Sequence, residues 1–144
     1  MGKGEFHMPP QGMIVGDNWL AIIVAAIAFY AIGFLIYGAV FSKLWMQLSG
    51  YTQEQLKPHM WKMAVSPLMP ILTAIGLAII LKMCGVTNLA TGLVVTFQIW
   101  FFLILSTRLY SFVYSPERPG LLIMDSIHLL LGFLAAGAVI SAWP

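Results

Sequence analysis

Four long runs of apolar residues, separated by short polar stretches, dominate the pattern along the chain. The first run, WLAIIVAAIAFYAIGFLIYGAVF, contains no charged residue over 23 positions. About 20 apolar residues suffice to cross the hydrocarbon core of a bilayer as an α-helix. We therefore predict an all-α membrane protein, a bundle of four transmembrane helices with short interfacial helices in the first loop. The predicted spans are residues 19–41, 63–86, 88–114 and 120–143.

Composition agrees with this pattern, because 60% of the 144 residues are hydrophobic and only 8% are charged. The predicted organisation is an irregular N-terminal arm, residues 1–18, followed by one four-helix transmembrane domain, residues 19–144. A net charge of +2 with scattered basic residues predicts no nucleic-acid partner. The expected surroundings are the lipid bilayer, with the chain itself or other membrane subunits as partners.

Two features of the first loop and the second span predict local structure. Gly50 is a typical helix stop, and Thr52 followed by Gln55 has the spacing of a capping box, so residues 42–61 should form two short surface helices. Ser66-Pro67 lies near the start of the second apolar run. Because proline cannot donate a helical hydrogen bond, we expect a kink or a broken first turn there.

Charged residues inside the third and fourth runs are the strongest chemical signal. Arg108 lies eight residues before Pro116 and Asp125 lies nine after it, so two antiparallel helices joined at that turn would hold them level. An unpaired charge in the hydrocarbon is costly, and we expect the two to pair. His128 follows Asp125 by three residues, on the same helix face.

Three hypotheses for Arg108, Asp125 and His128 stay open at this point. The first is an interhelical clamp that fixes how the third and fourth spans pack. The second is a small polar site open to the cytoplasmic side, in which Arg108 holds an anionic or polar group and the other two relay a proton. The third is a contact between chains. Possible supporting polar contacts are Tyr30, Tyr37 and Gln98, and small residues expected at helix contacts are Gly33, Gly132 and Ala136.

Other site chemistry finds little support in the sequence. Cys84 is the only cysteine, which excludes an internal disulfide or a thiolate cluster. Of His7, His59 and His128, only the last lies in a span, so we expect no haem or zinc site and no other cofactor. The GxSxG, HExxH and P-loop motifs are absent, and an enzyme is therefore the less favoured class.

Several short motifs occur in a characteristic order. Asn18-Trp19 opens the first span, a Lys-x-Trp-Met segment begins at Lys43, Gly50 and Thr52 frame a turn, and an acidic residue precedes His128-Leu129. With Gly33 and Tyr37 late in the first span, this order resembles the bacterial membrane family known as domain of unknown function 1761. The resemblance covers nearly the whole chain after the arm and implies four membrane helices, a bacterial inner membrane and no known activity. Where that family has Trp-Tyr-Ser-Pro, this chain reads Ile36 to Ala39.

Orientation follows from the basic residues in short loops, which favour the cytoplasmic side. Four fall in the first loop and third turn, and two fall in the arm and second turn; they are Lys43, Lys57, Lys62 and Arg118 against Lys3 and Lys82. Both termini are therefore predicted on the non-cytoplasmic side. The leading hypothesis for function is a structural or accessory subunit of a membrane complex. The alternative is a small solute or proton-coupled carrier, or a ligand-binding bundle, using Arg108, Asp125 and His128.

Overall fold

The computed structural model describes residues 18–143, and within that range it contains helices and no strand. The predicted arm lies outside the described residues except for Asn18. Eight α-helices occur in chain order: α1 Trp19–Gly33, α2 Ser42–Ser49, α3 Gln53–Leu56, α4 Trp61–Val65, α5 Leu68–Met83, α6 Leu89–Ile99, α7 Leu105–Val113 and α8 Pro119–Ala142. A 3₁₀ turn, Lys57–His59, follows α3, and π-helical segments follow α1 and α6 at Phe34–Val40 and Trp100–Ile104.

Together with the two π-helical segments, α1 and α4 to α8 form four spans that are long and apolar enough to cross a membrane. The first to fourth spans are Trp19–Val40, Trp61–Met83, Leu89–Val113 and Pro119–Ala142. This architecture confirms the all-α fold, with four apolar helices and short helices in the first loop. An asparagine caps the start of the first span and of the third span. Asn18 Oδ1 accepts from the Ala21 N–H at 3.2 Å, and Asn88 Oδ1 accepts from the Thr91 N–H at 2.9 Å.

The first loop also follows its sequence signals. Gly50 ends α2 with a left-handed φ of 76°, a conformation that favours glycine. The capping box at α3 is formed in both directions: the Gln55 N–H donates to Thr52 Oγ1, and the Thr52 N–H donates to Gln55 Oε1. The loop therefore folds as short surface helices between the first two spans.

The second span is interrupted near its start. Helix α4 ends at Val65, and α5 begins at Leu68, so the break falls at Ser66-Pro67, as the sequence predicts. The Ser66 hydroxyl donates to the Met63 carbonyl oxygen at 2.8 Å, which supplies a hydrogen bond at the broken turn. The span begins at Trp61, two residues before its predicted start, because α4 continues it toward the loop.

Helix α8 is the central element of the bundle. It packs against α1 most extensively and also against α5, α6 and α7. Three alanines are fully buried in the core, one from each of the first, second and fourth spans: Ala25, Ala74 and Ala136. Side chains this small let helix backbones approach closely, which is how membrane helices gain packing energy without a difference in polarity from the lipid.

Glycines of α8 also contact neighbouring helices closely. A Cβ atom on Gly132 would lie 2.8 Å from the Phe29 ring, and one on Gly137 would overlap Thr96. Thr96 is fully buried, and its hydroxyl donates to the Gly92 carbonyl oxygen at 2.7 Å, so it has little room to move. The first and third spans therefore each pack against a glycine of the fourth.

We predict that Gly137→Ala destabilises the protein by about 1–3 kcal/mol, because the added methyl group would displace Thr96 from a close-packed position. Gly76→Ala is the matched control, since a Cβ there meets no atom within 4 Å. That control should be neutral or should stabilise α5 by about 0.5–1 kcal/mol. Chemical unfolding in mixed micelles, followed by tryptophan fluorescence, measures both, and equal effects would contradict the close contact.

Candidate functional site

One guanidinium lies between two carboxylates where the third and fourth spans meet. Arg108 Nη2 donates to Glu117 Oε1 at 2.6 Å and to Asp125 Oδ2 at 3.0 Å. The side chains of Arg108, Glu117 and Asp125 are only 20%, 12% and 24% exposed. We call these three residues the charged triad. Because they are largely shielded, removing one partner would leave a charge uncompensated and would cost more than breaking a surface pair.

The hairpin of α7 and α8 positions the triad. Arg108 lies five residues before the end of α7 at Val113, and Asp125 lies six after the start of α8 at Pro119. At 1.5 Å per residue, both lie about 8–9 Å inside their helix ends. Glu117 belongs to the turn between the helices and reaches back to the same guanidinium nitrogen. The triad is therefore near one end of the bundle, below the turn.

The first span joins the triad through Tyr37. Its hydroxyl makes a short hydrogen bond to Asp125 Oδ1, while Arg108 occupies Oδ2. Both oxygens of one carboxylate thus accept hydrogen bonds, one from the first span and one from the third. Asp125 is the point at which three of the four spans are linked by polar contacts.

His128 lies one helical turn deeper than Asp125 and contacts aromatic rings. Its ring centroid is 4.8 Å from that of Tyr37 and 5.7 Å from that of Phe29, both in edge arrangements. Gly33 allows this placement, because a Cβ there would lie 2.9 Å from His128 Nε2. The two oxygens of Asp125 bond to Tyr37 and Arg108 and not to His128. Tyr37 therefore lies between the two residues that the sequence places side by side.

An apolar layer closes the deeper end of the site. The rings of Phe29 and Phe133 pack edge to face at 5.6 Å, and both side chains are buried. Gly132 lies directly against the Phe29 ring. The polar groups thus form a row from Glu117 in the turn to His128, and the row ends at this layer.

Charge and hydrogen bonding in the triad are unbalanced. One guanidinium faces two carboxylates, so the ionised triad carries one net negative charge. Within the described residues, Arg108 Nε and Glu117 Oε2 are buried and have no hydrogen-bond partner. Two carboxylates already contact Arg108, so a further anion would be repelled.

Both π-helical segments direct an aromatic side chain toward the polar part of α8. Tyr37 belongs to Phe34–Val40, and Trp100 belongs to Trp100–Ile104. The Trp100 indole N–H donates to the Ser126 carbonyl oxygen at 3.1 Å, next to Asp125. A π-helix has wider turns than an α-helix and often occurs at functional sites. Sequence periodicity gave no indication of either segment.

The structure brings together only some of the residues singled out from the sequence. Arg108, Asp125, His128 and Tyr37 are gathered, and Gly33, Gly132 and Ala136 lie at helix contacts. Tyr30 instead lines a groove between the first and second spans, and Gln98 lies on the exposed side of the third. Within residues 18–143, no group of three or more His, Cys, Asp or Glu side chains could hold a metal ion.

Glu117 is the site residue that the sequence analysis does not single out, because it lies in the turn between α7 and α8 and not in an apolar span. Its signal was the spacing to Arg108, since a turn residue of opposite charge can reach a guanidinium one to two helical turns below it. The next residue, Arg118, has a different role. Its Nη1 donates to the Gln47 carbonyl oxygen at 2.7 Å, and Leu48 packs on Gly120. Helix α2 is thereby attached to the start of α8.

Four apolar spans around a shielded charged triad define a multi-pass α-helical membrane protein. More narrowly, the chain belongs to the family described as protein of unknown function (DUF1761), whose family model matches residues 20–141. This match confirms the resemblance that the order of short motifs indicated. No curated protein and no solved structure matches the chain.

We predict that Arg108→Gln destabilises the protein by about 2–4 kcal/mol, because it leaves two shielded carboxylates without their cation. Arg118→Gln is the matched control, since that arginine is exposed and makes one bond to a backbone oxygen. Its effect should stay within about 1 kcal/mol. The loss of stability in Arg108→Lys should lie between these two values. A lysine keeps the positive charge but lacks the planar guanidinium that can bond two carboxylates at once. Unfolding in mixed micelles measures all three, and equal losses for the two glutamine variants would show that the triad does not stabilise the bundle.

Proposed function

We propose that the protein binds a proton at the charged triad and couples this binding to the packing of the first span against the hairpin of the third and fourth. It is then a proton-coupled membrane protein. The observation that supports this function is the single guanidinium shared by two shielded carboxylates. A proton removes the excess negative charge, and it requires none of the several ligands that a metal cation needs.

Tyr37 supplies the coupling in this proposal. Its hydroxyl donates to Asp125, and charged acceptors form stronger hydrogen bonds than neutral ones. When Asp125 takes up this proton, its carboxyl group becomes a weaker acceptor for the Tyr37 hydroxyl. The contact between the first span and the hairpin loosens, and it tightens again when the proton leaves. His128, against the Tyr37 ring, is the next ionisable group along the row.

The direction of access follows from the closed apolar layer and from the basic residues. The triad lies near the turn that contains Arg118. Three lysines lie on the same side, Lys43 and Lys57 in the first loop and Lys62 at the start of the second span. The excess of basic residues favours a cytoplasmic location for this side. Both termini then lie outside the cytoplasm, and the proton reaches the triad from the cytoplasm. A bacterial inner membrane is the location we propose. A carrier would have to open the layer of Phe29 and Phe133 to pass a solute.

A second function, an accessory subunit of a larger membrane complex, is favoured by a different residue. Gln98 lies near the middle of the third span and is exposed where lipid tails would surround it. Lipid cannot hydrogen-bond an amide, and such side chains commonly bond to another helix. A neighbouring membrane chain would provide that partner.

Infrared difference spectroscopy tests proton binding at the triad. We expect the purified protein to show the C=O band of one protonated carboxylic acid that disappears when the pH is raised. Asp125→Asn and Glu117→Gln should each abolish the band, because one guanidinium and one carboxylate are balanced. Glu54→Gln, at the exposed start of α3, and Tyr37→Phe should retain it, since neither changes the charge of the triad. A band that survives in both triad variants would exclude this proton site.

Native mass spectrometry of the protein extracted gently from its own membrane tests the subunit function. We expect an assembly heavier than one chain, because the exposed Gln98 amide gains a hydrogen bond on association. A bare monomer under conditions that preserve other membrane complexes would count against this function. That result would not contradict proton binding at the charged triad.

A further inference from the structure

We infer that two copies of this chain associate through the exposed side of the third span, with their Gln98 amides hydrogen-bonded to each other across a two-fold axis. This inference is independent of the proton site. It rests on the proposed subunit function, and it names the partner as a second copy of this chain. The surface consists of Val94, Phe97, Gln98, Phe101 and Phe102, which we call the Gln98 face.

The third span has the most surface left to cover. Within its most apolar stretch, 17% of the residues are buried inside the chain, against 28–33% in the other spans. The Gln98 face borders a shallow open groove, and Leu93 and Leu134 complete the lining. Exposed apolar groups alone do not indicate a protein partner, because lipid tails also cover such groups. A polar group that lipid cannot hydrogen-bond does indicate one.

Gln98 is such a polar group. It is the tenth residue of a 25-residue span, about 4–5 Å from the midpoint at 1.5 Å per residue. Its side chain is exposed, and within residues 18–143 it forms no hydrogen bond. At this depth neither water nor lipid headgroups reach it, and an unpaired amide in hydrocarbon is costly.

A second copy fits because a primary amide is its own complement. The Gln98 side chain has one carbonyl acceptor and an NH₂ donor, so two facing amides can satisfy each other in both directions. In a two-fold interface each residue near the axis meets its own counterpart. The exposed rings of Phe97 and Phe101, stacked at 5.9 Å on the same chain, would flank the amide pair. No charged residue lies on the face to oppose association.

Disulfide cross-linking locates the interface. Cys84 is exposed, so Cys84→Ala provides a cysteine-free background for Val94→Cys, which lies on the Gln98 face and leaves the Gln98 amide in place. In vesicles of bacterial lipids at low protein density, a membrane-permeable oxidant should link the Val94→Cys chains into dimers. Leu72→Cys is the matched control, because it is exposed at the middle of the second span and should remain monomeric. Equal cross-linking at the two positions would overturn the inference.

Energy transfer between chains labelled on Cys84 measures the amide contribution. Gln98→Leu should weaken dimerisation roughly three- to tenfold, the range expected for polar contacts between membrane helices. Leu72→Ala, on the exposed side of the second span, should leave it unchanged. No transfer above the random level for the native chain, or no effect of Gln98→Leu, would overturn the inference. A complex with other proteins alongside a monomeric purified chain would overturn it too, and would leave the subunit function standing.

Discussion

The ion pairs of Arg108 constrain the rest of the bundle. A charge inside the hydrocarbon is tolerated only with a partner, and Arg108 has two, one on α8 and one in the turn that precedes it. These contacts fix the hairpin of the third and fourth spans at its polar end. Asp125 then holds the first span through Tyr37. Close glycine and alanine contacts continue the same arrangement toward the other end.

Two kinds of contact hold the helices together at different depths in the bundle. Near the turn, directional hydrogen bonds and ion pairs hold the spans, and their strength depends on the charge of the groups that make them. Deeper in the bundle, contacts such as Gly132 on Phe29 and Gly137 on Thr96 depend on shape alone and do not respond to charge. A conformational change triggered at the triad would therefore pivot the first span about its glycine contacts. The bundle as a whole would not come apart.

Much of the fold could be predicted from the sequence, because crossing a bilayer requires long apolar helices and helix caps are local signals. That Arg108 and Asp125 lie at the same depth also follows from counting residues on either side of the turn. Three features could not be predicted. Tyr37 reaches Asp125 only if the first span neighbours the fourth, which uniformly apolar helices do not reveal. The same uniformity hides the outward direction of Gln98, and hydrophobic periodicity carries no mark of a π-helical turn.

The π-helical segment Phe34–Val40 has a consequence for the shape of the contact between the first and fourth spans. Phe29, Gly33 and Tyr37, spaced by four residues, all face α8. On an ordinary α-helix such a row drifts by about 40° at each step, and a helix pair must supercoil to keep it in contact. A π turn holds more than four residues, which reverses part of that drift. The first span can thus present its phenol to the fourth without the two helices winding around each other.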